Sequence, residues 1–223
     1  MRRFAVFIRI WFLVLAVCAA AVGFAFTRID LPMAVFFRGS ARLFNPLGTA
    51  FDAAVILFLE SAVTLTLILA RLVRGHLSRF AEVLALACLA SICAYGINSE
   101  VLKPFFGVAN PAQALKGARH AFHFLKGSAN SSFPSGHMVL AGAFAGVFMR
   151  MYRVTVWPLA ALLTLAAALL LVGDWHFLSD LIAGTFVGVS AGILAGEGWA
   201  VHSMPPPAAG CAADSADILR RGK

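Results

Sequence analysis

Residues 154–172 read VTVWPLAALLTLAAALLLV, a run without one charged side chain, and lead straight into Gly173, Asp174, Trp175 and His176. A helix needs about 20 apolar residues to cross the hydrocarbon core of a bilayer. This run therefore predicts a membrane-crossing helix with polar residues at one end. Five further apolar segments read the same way: about Phe4–Phe26, Phe51–Leu69, Phe80–Ile97, Gly136–Tyr152 and Phe177–Val201. The expected fold is all-α, a polytopic membrane helix bundle of about six transmembrane helices.

The composition agrees. Of 223 residues, 61% are hydrophobic and 13% charged, and the mean hydropathy is +0.88. Soluble domains are about half apolar and about a quarter charged, so a soluble domain, a disordered chain and a fibrous repeat are excluded. The net charge of +8 does not imply a nucleic-acid partner, because the basic residues stand in short groups between apolar runs, as topology signals do. Cys18, Cys88, Cys93 and Cys211 are scattered and show no disulfide or metal-binding spacing.

Residues 1–203 are read as one helical membrane domain, with polar stretches at about 98–137 and 173–180. Residues 204–223, rich in Pro and Ala, are read as a disordered tail. Arg2 and Arg3 precede the first segment as in a secretory signal, but its apolar run is too long and further membrane segments follow. Leu15-Ala16-Val17-Cys18 only faintly matches a lipoprotein cleavage box, since Val17 stands where a small residue belongs. Placing both termini in the cytoplasm puts eleven Lys and Arg inside (Arg2, Arg3, Arg9, Arg71, Arg74, Arg79, Arg150, Arg153, Arg220, Arg221, Lys223) and seven outside (Arg28, Arg38, Arg42, Lys103, Lys116, Arg119, Lys126). The positive-inside rule favours that orientation. Four of the outside cations lie between the third and fourth segments, which asks for a functional reason.

Gly184, Gly188, Gly192 and Gly196 recur every fourth residue and place a glycine stripe on one helix face, a packing device in membranes. Glu60 falls in mid-segment and Glu82 near an interface. No role is assigned to Glu60 from the sequence, although ionisable groups at membrane depth are functional candidates.

Three polar stretches fall on the same side of the membrane by helix count: Asn98 to Pro104, Ser132 to His137, and Asp174 to Asp180. In the second, Pro134 breaks any preceding helix and Ser135 is a good N-cap. Gly136 lets a ligand approach the backbone. The unpaired N–H groups and dipole of the new helix then favour an anion beside His137. In the third, His176 and Asp180 share a helix face. A carboxylate on Nδ1–H would leave the Nε2 lone pair free. Two His, one Asp, one Lys and an anion-binding helix start suit phosphoryl transfer through a covalent phosphohistidine. His120 and His123 form an H-x-x-H pair, but no third ligand or nearby acid is visible, so no metal site is expected.

These residues resemble the type-2 phosphatidate phosphatase superfamily, integral membrane lipid phosphatases related to bacterial acid phosphatases and vanadium haloperoxidases. That pattern is a Lys, six residues and Arg-Pro; then Pro-Ser-Gly-His; then Ser-Arg, five residues, His, three residues and Asp. Lys103 and Pro111 match the first part, Pro134 to His137 the second, and His176 and Asp180 the third. The resemblance covers about Asn98 to Gly196. It implies that His176 attacks phosphorus, Asp180 orients it, and His137 protonates the leaving alkoxide. It implies that Lys103 and the N–H groups of Ser135 and Gly136 hold the phosphate. It implies no cofactor and a lipid phosphate substrate among membrane lipids; with both termini cytoplasmic, the helix count puts the site on the extracytoplasmic face, periplasmic if the chain sits in a bacterial inner membrane.

The chain departs from the pattern twice. Asn110 replaces the first arginine, and Leu169-Leu170 stands where Ser-Arg is expected. Arginine grips phosphate bidentately, and leucine donates nothing. Lys116, Arg119, His123 and Lys126 precede Pro134, and Arg119 is the first candidate to substitute, with Asn110 donating through its amide. Two other readings follow from the departures: a lipid head-group phosphotransferase, and a non-catalytic family member. A transporter is disfavoured because the polar residues cluster at one face.

Overall fold

The computed structural model describes residues 2–39 and 52–202, with side-chain environments from Ile8 onward. Arg42, Phe51, Cys211 and the expected tail 204–223 lie outside the described residues.

The first helix, α1 (Arg2–Phe24), passes through a π turn (Ala25–Ile29) into α2 (Asp30–Phe37). The apolar run ends near Phe26, but the helix continues to Phe37, with Pro32 accommodated just after the π turn. Arg28, expected in a loop, consequently sits within a helical turn. Helix α3 (Ala53–Arg74) starts at Asp52, whose side chain accepts from the Ala54 N–H at 2.7 Å, and ends at Gly75 in the left-handed conformation (φ 75°). Ser78 caps α4 (Arg79–Ile97), which runs through a second π turn (Asn98–Leu102) into the short α5 (Lys103–Phe106). The short α6 (Pro111–Ala114) and a long loop lead to α7 (Gly136–Met151), α8 (Val156–Val172) and α9 (Leu178–His202).

Among the described residues, five helical spans are long and apolar enough to cross a membrane. Of the six expected helices, α7 falls short, with 16 residues and a length of about 24 Å. It is the central helix, packed on α4, α8 and α9. Val139, Leu140, Ala143 and Val147 are fully buried in it. Lipid-facing length matters less for a helix that other helices enclose. Glu82 sits in the first turn of α4, 3.3 Å from Arg71 and 3.9 Å from Arg79.

Helices α7 and α9 run in close contact. The glycine stripe makes this possible: Gly184, Gly188, Gly192 and Gly196 are all buried against α7. A methyl group at Gly184 would lie 2.6 Å from the Ser135 carbonyl oxygen, and one at Gly188 would lie 2.5 Å from that of Val139. From α7, Gly142 and Gly146 face back toward α9. Small residues on both partners let the backbones meet. The register of this contact brings the start of α7 beside the start of α9.

Candidate active site

Ser135 ends an extended segment and opens α7, its hydroxyl accepting from the Met138 N–H at 3.5 Å. Phe177 and Leu178 open α9. The two starts are joined directly, since the Ser135 N–H donates to the Asp180 carbonyl oxygen at 3.1 Å. That bond corrects one expectation: the Ser135 N–H holds the neighbouring helix and does not face an anion. Gly136 remains the backbone group at the opening of α7. A side chain there would strike Tyr95, and its Cβ would lie 3.7 Å from Lys103 Nζ.

Within this junction the imidazoles meet. His137 Nδ1 lies 3.2 Å from His176 Nε2. On its other side, His176 Nδ1 lies 3.5 Å from Asp180 Oδ2. Asp180 is fully buried. Its Oδ2 accepts the Phe177 N–H at 3.0 Å and a short hydrogen bond from the Ser132 hydroxyl. A buried carboxylate in this position favours the tautomer with the proton on Nδ1, which leaves the Nε2 lone pair toward His137.

Lys103, only 9% exposed, turns inward and donates from Nζ to the Ala129 carbonyl oxygen at 3.1 Å. Asn98, buried in the π turn before it, donates from Nδ2 to the Pro134 carbonyl oxygen at 3.2 Å. Thus the three polar stretches of the sequence meet at one end of the bundle.

The other candidates have these surroundings. Asn110 is the N-cap of α6: its Oδ1 accepts from Gln113 N–H at 2.9 Å, and Gln113 returns the bond to the Asn110 N–H. Its side-chain carbonyl is thereby committed to a capping box. Arg119 is exposed, and among the described residues no hydrogen bond or ion pair ties its side chain to the site. At the second departure, Leu170 is buried with Leu163 and with Met138 and Leu181, which follow His137 and Asp180 in the chain. An apolar plug therefore occupies that place. Lys126 borders a small polar cavity with Gln113, Ser128, Asn130 and Ser131.

Two groups of residues at the site have roles that the sequence does not assign: Ser132, within the second polar stretch, and Asp30 with His120. Ser132 lies within 3.3 Å of His176 Nδ1 as well as on Asp180. Asp30, from the first helix pair, accepts from the Ser179 N–H at 3.1 Å and from its hydroxyl at 2.5 Å. His120 Nε2 lies 3.4 Å from Asp30 Oδ2, its ring stacked on Phe26 and against Phe177. An acid does accompany His120, contrary to expectation, but it serves to dock α2 on α9. Among the described residues no group of three or more His, Cys, Asp or Glu is arranged to hold a metal. Just before His176, Asp174 adopts φ 55°. Burial pushes its carboxyl above the usual range, and Arg38 pulls it partly back.

A family model described as the PAP2 superfamily matches residues 83–199, just over half of the chain, from α4 through nearly all of α9. No curated protein and no solved structure gives a match.

Proposed function

The chain belongs to the PAP2 superfamily, whose members are in general phosphatases acting on phosphate esters, and we propose that it hydrolyses the phosphate of a membrane lipid through a phosphohistidine. The observation that carries this reading is the line Asp180–His176–His137, with a carboxylate on one nitrogen of His176 and a second imidazole on the other. His176 Nε2 attacks phosphorus, and the bond from phosphorus to the lipid oxygen breaks. His137 gives its proton to the departing oxygen. Water, deprotonated by His137, then cleaves the P–N bond and releases phosphate. Asp180 balances the positive charge on His176, and Lys103 with the Gly136 N–H faces the equatorial oxygens, where fixed donors lower the barrier.

The 3.2 Å between the imidazoles leaves no room for a phosphoryl group. Substrate must therefore separate them, and the His137 proton moves from the nucleophile's lone pair to a substrate oxygen. The site lies at one end of a bundle with five helical spans apolar enough to cross a membrane, which supports a lipid substrate held in the membrane that contains the protein. With both termini cytoplasmic, the site opens on the extracytoplasmic face.

The test is phosphate release from phosphatidate, phosphatidylglycerophosphate, isoprenyl diphosphate and lipid A phosphate by purified protein without added metal. Release from one of them is expected. The buried Leu170 in place of a phosphate-gripping arginine favours one second reading, transfer of the phosphate-bearing head group to a lipid hydroxyl. Product that forms only when a lipid alcohol is added would select it. Absence of both products, with no phosphohistidine trapped, would identify a non-catalytic member.

Ser132 offers a finer check. Ser132→Ala removes a donor from Asp180 Oδ2 and a neighbour from His176 Nδ1, while both residues stay in place. The outer hydrogen-bond partners of metal-ligating histidines, which orient the imidazole in the same way, are worth about 10- to 100-fold. A fall in kcat of about tenfold with little change in KM is expected from initial rates. An unchanged kcat would remove Ser132 from the site.

A further inference from the structure

Between α3, α7 and α8 lies an apolar cleft of about 400 Å3, walled by Ala141, Phe144, Ala145, Leu159 and Leu163. Among the described residues, its one polar lining residue is Glu60. Glu60 is 9% exposed, and its Oε2 has no hydrogen-bond partner among the described residues. Ser91 supplies a hydrogen bond to the carboxyl group, but a carboxyl oxygen left without a partner in an apolar membrane cleft is costly. The cleft opens laterally at Leu162, which is 58% exposed.

Its position relates it to the chemistry. Ala141, Phe144 and Ala145 follow His137 by four, seven and eight residues, so they share its face of α7. By helical rise they lie about 6 to 12 Å below it. Glu60 lies about 10 Å below the start of α3. One helix face thus leads from the proposed proton donor down to an unpartnered carboxyl oxygen.

We propose that this cleft docks the lipid alcohol left after phosphate is removed, with its hydroxyl hydrogen-bonded to Glu60. The source of the alcohol rests on the phosphatase reading; the binding itself does not. A lipid alcohol has what the cleft accepts, an apolar body with one compact polar group. Its hydroxyl can donate to a carboxylate or accept from a carboxylic acid, so either state of Glu60 serves. A lipid phosphate is refused, because no cation among the described residues lines the cleft and the phosphate charge would be desolvated beside a carboxyl. A neutral hydroxyl also sinks below the headgroup level at far lower cost than a phosphate. Product would therefore leave His137 along α7 while substrate stays at the surface.

The experiment uses full-length protein in dioleoylphosphatidylcholine nanodiscs. Photoactivatable diacylglycerol and photoactivatable polyprenol are compared with their phosphorylated counterparts and with photoactivatable phosphatidylcholine, and labelled peptides are mapped. One of the alcohols should label the segments around Glu60, Ala141–Ala145 and Leu159–Leu163 in preference to all phosphate-bearing probes, and unlabelled alcohol should compete. Glu60→Leu should cut this labelling about tenfold, the order of a hydrogen bond to a charged or acidic group, while Glu60→Gln keeps part of it. Equal labelling by phosphatidylcholine, equal labelling in Glu60→Leu, or labelling by neither alcohol would overturn the proposal. If Glu60→Leu does not fold, the wild-type map and competition decide. Phosphate release is read on the same preparation. Turnover without cleft labelling rejects the docking site alone, and labelling without turnover rejects the phosphatase reading alone.

Discussion

His176→Ala is expected to reduce phosphate release to background, a loss of about 10^4-fold or more. Nucleophile removal in enzymes with covalent intermediates costs this much because both half-reactions vanish together. The geometry places a carboxylate directly behind the proposed nucleophile: Asp180 Oδ2 stands 3.5 Å from His176 Nδ1, and His137 faces the opposite nitrogen. A phosphoryl group from a radiolabelled lipid phosphate should become acid-labile, alkali-stable protein label in the wild type and none in the mutant. The distinction from a structural effect comes from His176→Asn, which keeps a polar side chain in the same space and should be equally dead while melting like the wild type. Turnover within tenfold of wild type in either variant would mean that another group attacks phosphorus.

How much of this was readable in advance follows from the range of the interactions. The Ser135 cap and the His176–Asp180 pair each depend on three or four residues of helix geometry, so spacing alone exposed them. The apolar runs exposed the bundle in the same local way. Ser132 stands in the second polar stretch, but its role is not local, because its partners stand 44 and 48 residues away. Asp30 is 149 residues from Ser179, and nothing local marks it except an acid at the end of an apolar run. Asn110 carries two signals at once. Its alignment with an arginine position suggests an amide donor, and the local pattern Asn-Pro-Ala-Gln spells the capping box that its Oδ1 makes. Likewise α7 is shorter than a spanning helix, and its burial by three neighbours cannot be seen from hydropathy. Local chemistry and the shared face of the three polar stretches were legible; the individual long-range partners supplied by packing, Ser132 on Asp180 and Asp30 on Ser179, were not.

The packing itself can be tested where it meets the chemistry, and there Gly184→Val is expected to lower kcat by at least about 100-fold. A Cβ at Gly184 would lie 2.6 Å from the Ser135 carbonyl oxygen and 3.1 Å from Met138 Cβ. These are backbone and inner side-chain atoms of the first turn of α7, so nothing flexible can give way. Overpacking of this kind costs about 1–3 kcal/mol, and the relief is for α7 and α9 to separate. Separation lengthens the Ser135–Asp180 backbone bond and the 3.2 Å contact between His137 and His176. A misplacement of about 1 Å suffices for a 100-fold loss. At Gly198, on the same helix, an added Cβ would meet nothing within 4 Å. Gly198→Val adds the same side chain to the same helix, and its kcat should stay within about twofold, since surface changes are usually within about 0.5 kcal/mol. Purified variants compared by thermal melting and initial rate separate the two effects. A Gly184→Val protein with wild-type kcat would mean that the glycine contact does not set the spacing of the two histidines. Loss of rate with the melting point lowered only modestly would tie the stripe, a packing feature in the sequence, to the distance on which proton transfer depends.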